Sequence, residues 1–345
     1  MYKRQVIKVE RIGEERIIRP KLEKFAPMDS PLERNKRSIC IDLKSDKGRE
    51  VFYRLVKDAK VVVEGFRPGV AGRLGIDFET VKKINPDIVY CSISGYGQDG
   101  PYRELPGHDI NYISASGVLG LIGEEKPSVP LNLVADYAGG GLFGAIAILA
   151  ALLSEKKPIY IDLSMTDCSL SLLTHLMGEY FLSKEPVRRM SHMLQGVKPY
   201  YTVYRTKDGF ISVGCIERHF WENLLRALGR EELLEEDEGR VRRELEDIFI
   251  TKTRDEWFEY LKDKNVCVMK VYDMEEVPRD PQLRERGMFW EINGYPQVGF
   301  PVKFSGVDFP KKAPPLPGEN TREILGELGY SEEEINSLFD EKVVG

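Results

Sequence analysis

Short apolar strands alternate with helical segments in the first third of the chain, and this alternation constrains the fold more than any other feature. The strands are SICIDL, VVVEGF and DIVYCSIS (38–43, 61–66 and 87–94), and the helices between them cover 47–57 and 78–84. Nearly continuous apolar strands joined by helices are typical of a parallel sheet covered on both faces. The sequence therefore predicts an α/β fold, with a further strand at 6–10.

After these strands, the chain predicts a helix at 142–153, a strand at 158–165, a helix at 167–182 and a linker at 188–198. A second unit of mixed helix and strand follows, with a hairpin through 207–209, helices within 218–261 and a strand at 266–272, and after 299 the sequence predicts strand and loop and then a closing helix pair. A length of 345 residues suits two domains. We predict a large domain over 1–187, a small α+β domain over 188–298, and a segment at 299–345 that returns to the large domain.

Composition excludes several classes of protein. The net charge of −6 argues against general nucleic-acid binding, and the five cysteines lack the spacing of a zinc site or a disulfide framework. We therefore predict no metal site. No signal peptide is visible, and the apolar run 142–153 is too short to cross a bilayer. A cytoplasmic protein with no membrane contact is the expectation.

The start of the chain carries an expectation of its own. The residues MYKRQ precede the strand at 6–10, and they match the translation of a common sequencing adapter. Native sequence is therefore expected to begin near Val6, with upstream coding sequence lost. Residues 11–35 are charged and irregular and predict a surface excursion.

Basic residues follow the predicted strands. Lys44 lies after the first strand, Arg67 lies in the turn Gly-Phe-Arg-Pro-Gly after the second, and Arg73 lies a short turn later. Ligands of parallel sheets collect at the carboxyl ends of the strands, where arginine and lysine can pair with phosphates. The alternative is solvated surface charge. The glycine-rich loop GYGQDG matches neither a dinucleotide fingerprint nor a P-loop.

The stretch 107–141 holds a second set of polar residues. His108 stands between a glycine and an aspartate, and Asp136 precedes three glycines and a long apolar helix. A histidine and an aspartate on turn-like backbone can move protons at a small-molecule site. The alternative is that each residue caps a turn or a helix.

Several linked motifs carry a family resemblance. They are VVVEGFRPGVAGRLGID, NPDIVYCSISGYGQDGPYRELPGHDINYISASG, PLNLVADYAGGG and PPLPGENTREILGELGYSEEEI. Together they resemble the family III CoA-transferase superfamily (CaiB/BaiF type) from Val6 to the C-terminus, and within it most closely the α-methylacyl-CoA racemases. The resemblance implies a large Rossmann-like domain, a smaller domain, and two subunits interlocked as rings. The resemblance implies a strand and helix ahead of VIKVE that hold part of the CoA pocket, and with upstream coding sequence lost we expect them to be missing.

The resemblance also implies roles for individual residues. His108 of GHDINY and Asp136 of NLVAD match the two racemase bases, and Glu217 and Asn132 match residues that support them. Further positions match the CoA and thioester site: Ile41, Leu43, Lys44, Arg67, Arg73, Asp109 and Tyr112. The substrate would be an acyl-CoA, with CoA as part of the substrate and no permanently bound cofactor.

Three functions are consistent with these matches. The first is racemisation of 2-methylacyl-CoA thioesters through an enolate, which needs one base on each face of the α carbon. The second is CoA transfer between carboxylic acids, with Asp136 as the nucleophile. His108 favours the first, since the transferases usually carry Tyr or Phe there, and the single glycine within 193–201 agrees. The third is a non-catalytic CoA-binding remnant.

Overall fold

The structure is a computed structural model that describes residues 5–13 and 31–345, so most of the predicted surface excursion lies outside the described residues. Its strands are β1 (Ile7–Glu10), β2 (Arg37–Cys40), β3 (Val61–Glu64), β4 (Val89–Ser94), β5 (Ile159–Ser164), β6 (Tyr201–Arg205), β7 (Phe210–Gly214), β8 (Val268–Lys270), β9 (Phe289–Ile292) and β10 (Tyr295–Val298). Its α-helices are α1 (Asp46–Asp58), α2 (Val70–Leu74), α3 (Phe78–Ile84), α4 (Asp109–Ala115), α5 (Val118–Leu121), α6 (Phe143–Leu153), α7 (Met165–Ser171), α8 (Thr174–Ser183), α9 (Arg218–Leu228), α10 (Glu238–Phe249), α11 (Arg254–Leu261), α12 (Pro281–Glu285), α13 (Thr321–Glu327) and α14 (Glu332–Asp340).

Among the described residues, five further helical turns differ in width from an α-helix. Four are narrow 3-10 turns at Pro31–Glu33, Met193–Gln195, Glu231–Glu235 and Val277–Arg279. The fifth, Leu133–Leu142, is wound more widely as a π-helix and runs directly into α6. We call it the wide helix. Wide helical turns are rare and are frequent at functional sites.

The sheets confirm the predicted α/β class and refine its topology. β1 pairs with β2 in parallel, and β3 pairs with β4 in parallel in a sheet of order β3-β4-β5. In the described chain these parallel strands lie in two sheets, whereas the alternation of strands and helices in the sequence predicts a single sheet. The sheet β6-β7-β8 is antiparallel, as is the β9–β10 pair.

The chain divides into two compact units. The first unit comprises Met1–Glu104, Phe143–Leu163 and Pro278–Gly345, and the second comprises Leu105–Leu142 and Ser164–Val277. This division follows contacts within one chain and does not test the predicted domain limits 1–187, 188–298 and 299–345. Those limits stay predictions.

In the first unit, α1 is organised by an amphipathic pattern and a capped start. Ser45 accepts the N–H of Gly48, and Val51, Phe52 and Val56 are buried along the helix. Val51 packs in a core cluster with β2 and the closing helices α13 and α14, whereas Phe52 and Val56 pack with residues of α3 and β4. The closing helix pair is confirmed, and it packs on β2. Gly48 allows the turn after β2 to approach α1, since a Cβ there would collide with the Asp42 carbonyl.

In the second unit, the core lies under the predicted hairpin. β6 and β7 pair from Tyr201–Gly214 to Arg205–Phe210, which confirms the turn at 207–209. The helices α9, α10 and α11 bury one face each in the same cluster, which includes Tyr204, Phe249 and Trp257. The Trp257 indole donates to the Phe249 carbonyl at 2.8 Å, so its polar edge is satisfied inside the core.

Three predicted elements are wrong in detail. The helix at 167–182 is broken between α7 and α8, and residues 299–320 contain no strand because both strands of that region, β9 and β10, end before them. The apolar helix begins at Leu133 and not at 142, so one helix of the described chain, Leu133–Leu153, is long and apolar enough to span a membrane. Length and composition alone are weak grounds for a membrane span.

Candidate active site

His108 begins α4 with its backbone fixed and its side chain outside the protein interior. It is the residue before the helix, in extended conformation, and it is exposed. Its N–H donates to Asn111 Oδ1 at 3.0 Å, and its carbonyl accepts the Asn111 N–H at 2.8 Å. These reciprocal bonds fix the helix start, so His108 both ends a turn and presents an imidazole.

Asp136 lies in the first turn of the wide helix, beside Asn132. The Asn132 amide donates to Asp136 Oδ2 at 3.2 Å, and the Asn132 carbonyl accepts the Tyr137 N–H at 3.3 Å. The structure thus brings together the aspartate and the asparagine that the family resemblance pairs. Gly139, one turn later, faces α7 so closely that a Cβ would lie 3.1 Å from the Met165 carbonyl oxygen. The glycine run therefore lets this helix pack tightly on α7.

Asp109 connects the starts of α4 and the wide helix. Its Oδ2 accepts the N–H of Ala135 at 2.7 Å and that of Asp136 at 2.8 Å. Its side chain is buried, as is Tyr112, whose hydroxyl donates to the Gly107 carbonyl. The family resemblance places Asp109 and Tyr112 near the CoA thioester. In the structure, both side chains form hydrogen bonds with backbone groups close to His108 and Asp136.

Glu217 belongs to the same unit but stands apart in its contacts. It precedes α9, and it is exposed. In the part of the chain that the structure describes, no hydrogen bond or ion pair joins it to His108. Its role in supporting His108 stays a prediction.

The predicted CoA cations lie in the first unit, on two neighbouring turns. Arg67 stands in the turn that leads into α2, and Arg73 lies in the last turn of α2, with its Nη1 close to Gly69. Lys44 lies in the turn between β2 and α1. All three are exposed, and over residues 5–13 and 31–345 none has a carboxylate within salt-bridge distance. We call Lys44, Arg67 and Arg73 the unpaired cations.

Two residues of α1 position these turns, and sequence reasoning missed both. Arg49 donates to the carbonyls of Leu43 and Lys44 at 3.4 and 2.9 Å, and its side chain also lies against Gly75, the residue that ends α2. The Tyr53 hydroxyl donates to the Gly75 carbonyl at 2.8 Å. Helix α1 therefore holds the Lys44 turn and the end of α2 together. Their spacing of one helical turn on the α1 face is the signal that could have shown this.

Glu64 fixes the turn that carries Arg67, and it too was missed. Its Oε2 accepts the Phe66 N–H at 2.7 Å, and its Oε1 accepts the Ser92 hydroxyl from β4. Tyr160 donates to the Ser92 hydroxyl at 3.3 Å, and burial raises the pKa of Tyr160. The turn between β3 and α2 is therefore tied to the neighbouring strands.

The apolar residues of the predicted CoA site differ in their exposure. Ile41 is buried in the core cluster with α13 and α14 and forms an isolated bridge with Val344. Leu43 is partly buried between both core clusters of the first unit. Of the two, Leu43 has surface left for a ligand. In the described ranges no group of three His, Cys, Asp or Glu side chains could hold a metal ion.

Comparison with known proteins decides the family. Residues 5–321 match the family described as CoA-transferase family III. The chain belongs to this family. It is 38% identical to the human protein named alpha-methylacyl-CoA racemase over 331 residues, which cover 91% of this chain and 86% of that protein. It is 29% identical to human succinyl-CoA:glutarate CoA-transferase over 368 residues, covering 99% of this chain and 83% of the relative.

A solved structure agrees with this assignment. A CAIB/BAIF family protein from Brucella suis superposes with a TM-score of 0.81 at 29% identity, over 94% of this chain and 92% of the other. The predicted family is therefore confirmed, and so is the prediction that the chain is an enzyme of the racemase and transferase type. The chain is similar both to a relative named as a racemase and to one named as a transferase, so the choice of reaction depends on the site.

Proposed function

We propose that this protein racemises 2-methylacyl-CoA thioesters, with His108 and Asp136 as its two bases. One base takes the proton of the α carbon, and the electron pair of the C–H bond moves into the enolate. The other base then donates a proton to the opposite face of the α carbon. The carbon loses one proton and gains one, so only its configuration is inverted. The observation that carries the proposal is the bonding of Asp109 to Asp136, which ties the two bases to one framework. The 38% identity to a racemase supports it.

The unpaired cations are the proposed partners of the CoA phosphates. CoA carries a diphosphate and a further phosphate, which suit several exposed cations on fixed turns. Arg49 holds the Lys44 turn and Glu64 holds the Arg67 turn, so the side chains start from fixed backbone. CoA enters in this proposal as part of the substrate, and no resident cofactor takes part.

CoA transfer is the second candidate, and it uses the same aspartate. There, Asp136 attacks the thioester carbonyl and the C–S bond breaks, so CoA leaves as thiolate and an aspartyl acyl anhydride forms. The thiolate then attacks the aspartyl carbonyl, which releases the first carboxylate and leaves CoA on Asp136 as a thioester that the second carboxylic acid takes over by the reverse steps. The 29% identity to a transferase keeps this candidate open. His108 counts against it, because transferases of the family usually carry an aromatic residue at that position.

The loop at 193–201 also favours racemisation. Arg242 of α10 donates to the carbonyls of Gly196 and Val197 at 2.9 and 2.7 Å, and Lys198 pairs with Glu238 of α10 at 2.7 Å. Several transferases carry a glycine-rich loop in this region, which can adapt to an acyl intermediate. Here the loop is fixed to a helix by side chains, which suits a reaction without a covalent intermediate.

The test is proton exchange in deuterated water. The protein is incubated with (R)-2-methylacyl-CoA, and α-deuterium uptake and epimer composition are followed by mass spectrometry and chiral analysis. We expect both in the wild type and a loss of about 10³-fold in His108→Ala, since one of two proton-transfer groups is gone. His175→Ala is the matched control, because His175 lies exposed on α8 beside Glu179. That variant should keep full activity.

Each other outcome selects a different function. CoA exchange that needs an added carboxylic acid and proceeds without α-exchange supports transfer, and Asp136→Ala should abolish it. Stabilisation by CoA without either reaction supports the non-catalytic remnant. Equal α-exchange in His108→Ala and the wild type contradicts the two-base proposal.

The proposal extends to assembly and location. Leu142, Ile146 and Leu149 of the apolar helix are more than half exposed, and Leu153 is 87% exposed. Exposed apolar area of this size marks an interface. We propose that a second copy of the chain covers it in an interlocked homodimer, in the cytoplasm, with no membrane contact and a role in fatty-acid metabolism. Light scattering that gives a monomer contradicts the dimer, and recovery only with detergent contradicts the absence of membrane contact.

A further inference from the structure

Asp109 joins the two candidate bases through the backbone. It is the first residue of α4 and follows His108 directly, so movement of its main chain moves the imidazole. Its Oδ2 accepts the N–H groups of Ala135 and Asp136, in the first turn of the wide helix. One carboxylate oxygen therefore connects the segment of one base with the segment of the other.

The carboxylate accepts backbone N–H groups at the start of the wide helix. The first N–H groups of a helix lack partners within it, and a side chain just before the helix usually accepts one of them. Here Asn132 stands before the wide helix and donates its amide to Asp136. Asp109, 26 residues before Ala135, supplies the missing acceptor.

The burial and the hydrogen bonds of Asp109 indicate that its carboxylate holds local backbone geometry. The residue is 4% exposed, and in the described part of the chain its Oδ1 has no hydrogen-bond partner. A buried carboxylate normally engages both oxygens. In the described part of the chain, this carboxylate is held by the hydrogen bonds from the two backbone N–H groups. Charge-assisted hydrogen bonds of 2.7–2.8 Å are strong enough to fix local geometry.

We infer that Asp109 is a positioning residue that sets the separation of His108 and Asp136, and not a contact of CoA as the sequence predicts. The inference rests on the proposed function, because proton transfer to both faces of one carbon needs both groups in register. A misplacement of about 1 Å can cost about 10²-fold in rate. Asp109 thus acts on kcat through backbone geometry and leaves CoA affinity unchanged.

Three substitutions separate geometry from charge. Asp109→Ala removes the acceptor, Asp109→Glu keeps the charge but displaces it, and Asp109→Asn keeps an acceptor oxygen without the charge. We expect kcat to fall about 10²-fold in Ala and about tenfold or more in Glu, and to stay within about fivefold in Asn, with KM within about threefold throughout. Rescue by Asn distinguishes hydrogen bonding from charge.

The matched control is a second buried aspartate with the same kind of bond. Asp280 is 6% exposed, and its Oδ1 accepts the N–H of Leu283 at 2.8 Å. Asp280→Ala removes a buried helix cap of the first unit and should leave kcat and KM as in the wild type. A rise in KM at constant kcat in the Asp109 variants makes Asp109 a CoA contact and overturns the inference. Full activity in Asp109→Glu overturns it too.

A second readout does not depend on catalysis. Amide hydrogen exchange, resolved by mass spectrometry on peptides that cover 108–116 and 132–142, reports the bonds directly. We expect faster exchange at 135–136 in Asp109→Ala, near-wild-type exchange in Asp109→Asn, and no change there in Asp280→Ala. Unchanged exchange in Asp109→Ala contradicts the inference. If the wild type shows no α-exchange, the proposed function fails while this readout still decides the role of Asp109, and the Asn and Glu variants decide it if Ala does not fold.

Discussion

Two groups of cations in this molecule differ in their partners. Arg254 in the second unit is 12% exposed as a side chain and contacts both oxygens of Glu276, at 2.9 and 3.0 Å. In the first unit, Arg67 and Arg73 are exposed, and over residues 5–13 and 31–345 no carboxylate pairs with either. The same residue type thus serves as a cross-link in one place and stays available in the other.

The difference teaches how to sort charges that look alike in sequence. A largely buried arginine with a bidentate carboxylate stabilises the fold, and its loss leaves the carboxylate without that partner. An exposed arginine on a fixed turn contributes little to stability, and its donors are available to a phosphate. Whether an arginine has a carboxylate partner therefore distinguishes a structural arginine from one that is available to a ligand, and the sequence alone does not show this.

The largest effect is expected on CoA affinity when two of the unpaired cations are removed. Arg67→Ala combined with Arg73→Ala should weaken CoA binding about 10²-fold by calorimetry, because each charge-assisted contact is worth about 1.5–3 kcal/mol. The melting temperature should stay within about 1 °C, since neither side chain has a carboxylate partner to lose among residues 5–13 and 31–345. Arg226→Ala, an exposed arginine on α9, is the control with unchanged binding. Wild-type affinity in the double variant removes these residues from the CoA site.

Arg254→Ala should show the opposite pattern. It removes the pair with Glu276 and the bond to the Val271 carbonyl, so the melting temperature should fall by about 5 °C. Affinity for CoA should not change. Scanning calorimetry and binding calorimetry on the same sample check both halves. A variant that keeps its melting temperature but loses CoA affinity would reverse the assignment of the two groups.

The sequence predicted the strands and helices well where local pattern decides them. The helix α3 was predicted at its observed limits, since Asp77 caps it and apolar spacing defines its face. The break between α7 and α8 was not predicted, because the apolar pattern runs on across it. Likewise, the wide helix before α6 begins in a stretch rich in glycine, and glycine in sequence predicts a turn. Tertiary packing against α7 determines the outcome there.

For the site, the sequence predicted residues but not their connections. Asn132 and Asp136 are four apart and meet as one helical turn allows. The bond from Asp109 to the backbone at 135–136 depends on how α4 lies beside the wide helix, and no local pattern encodes that contact. Arg49 and Tyr53 do show a local pattern, since they lie one helical turn apart on α1, but the sequence does not show which segments that face of the helix contacts.

A smaller effect tests geometry within the unpaired group. Arg67→Lys keeps the charge and loses the planar fork, so CoA affinity should fall about threefold to tenfold if Arg67 contacts a phosphate with two donors. A steeper salt dependence of binding in the wild type than in the double variant would agree, because screening acts on the same contacts. Equal affinity in Arg67→Lys means that Arg67 acts only as a point charge.

The smallest effect belongs to a paired cluster at β1 and β2. Burial acts to raise the pKa of Glu33, but Lys36 and Lys8, at 2.8 and 3.0 Å, outweigh it and lower that pKa. A lowered folded-state pKa stabilises above the ordinary pKa of a glutamate, and this stability is lost as pH falls through the folded-state value. Glu33→Gln should cost less than about 1 kcal/mol at pH 7, and that cost should shrink as pH falls through the folded-state pKa, measured by urea unfolding. A cost that grows on acidification contradicts this sign.

The bond between Asp109 and the backbone at 135–136 has a consequence for folding order. It closes a loop of 26 residues, short beside the 345 of the whole chain. Loops of this length close at modest entropic cost, and contacts that are local in sequence form early. His108, Asp136 and the link between them can therefore assemble before the distant segments of the chain meet. Because His108 and Asp136 lie close together in the sequence, a recombination event that exchanges a segment of the gene tends to transfer both residues together.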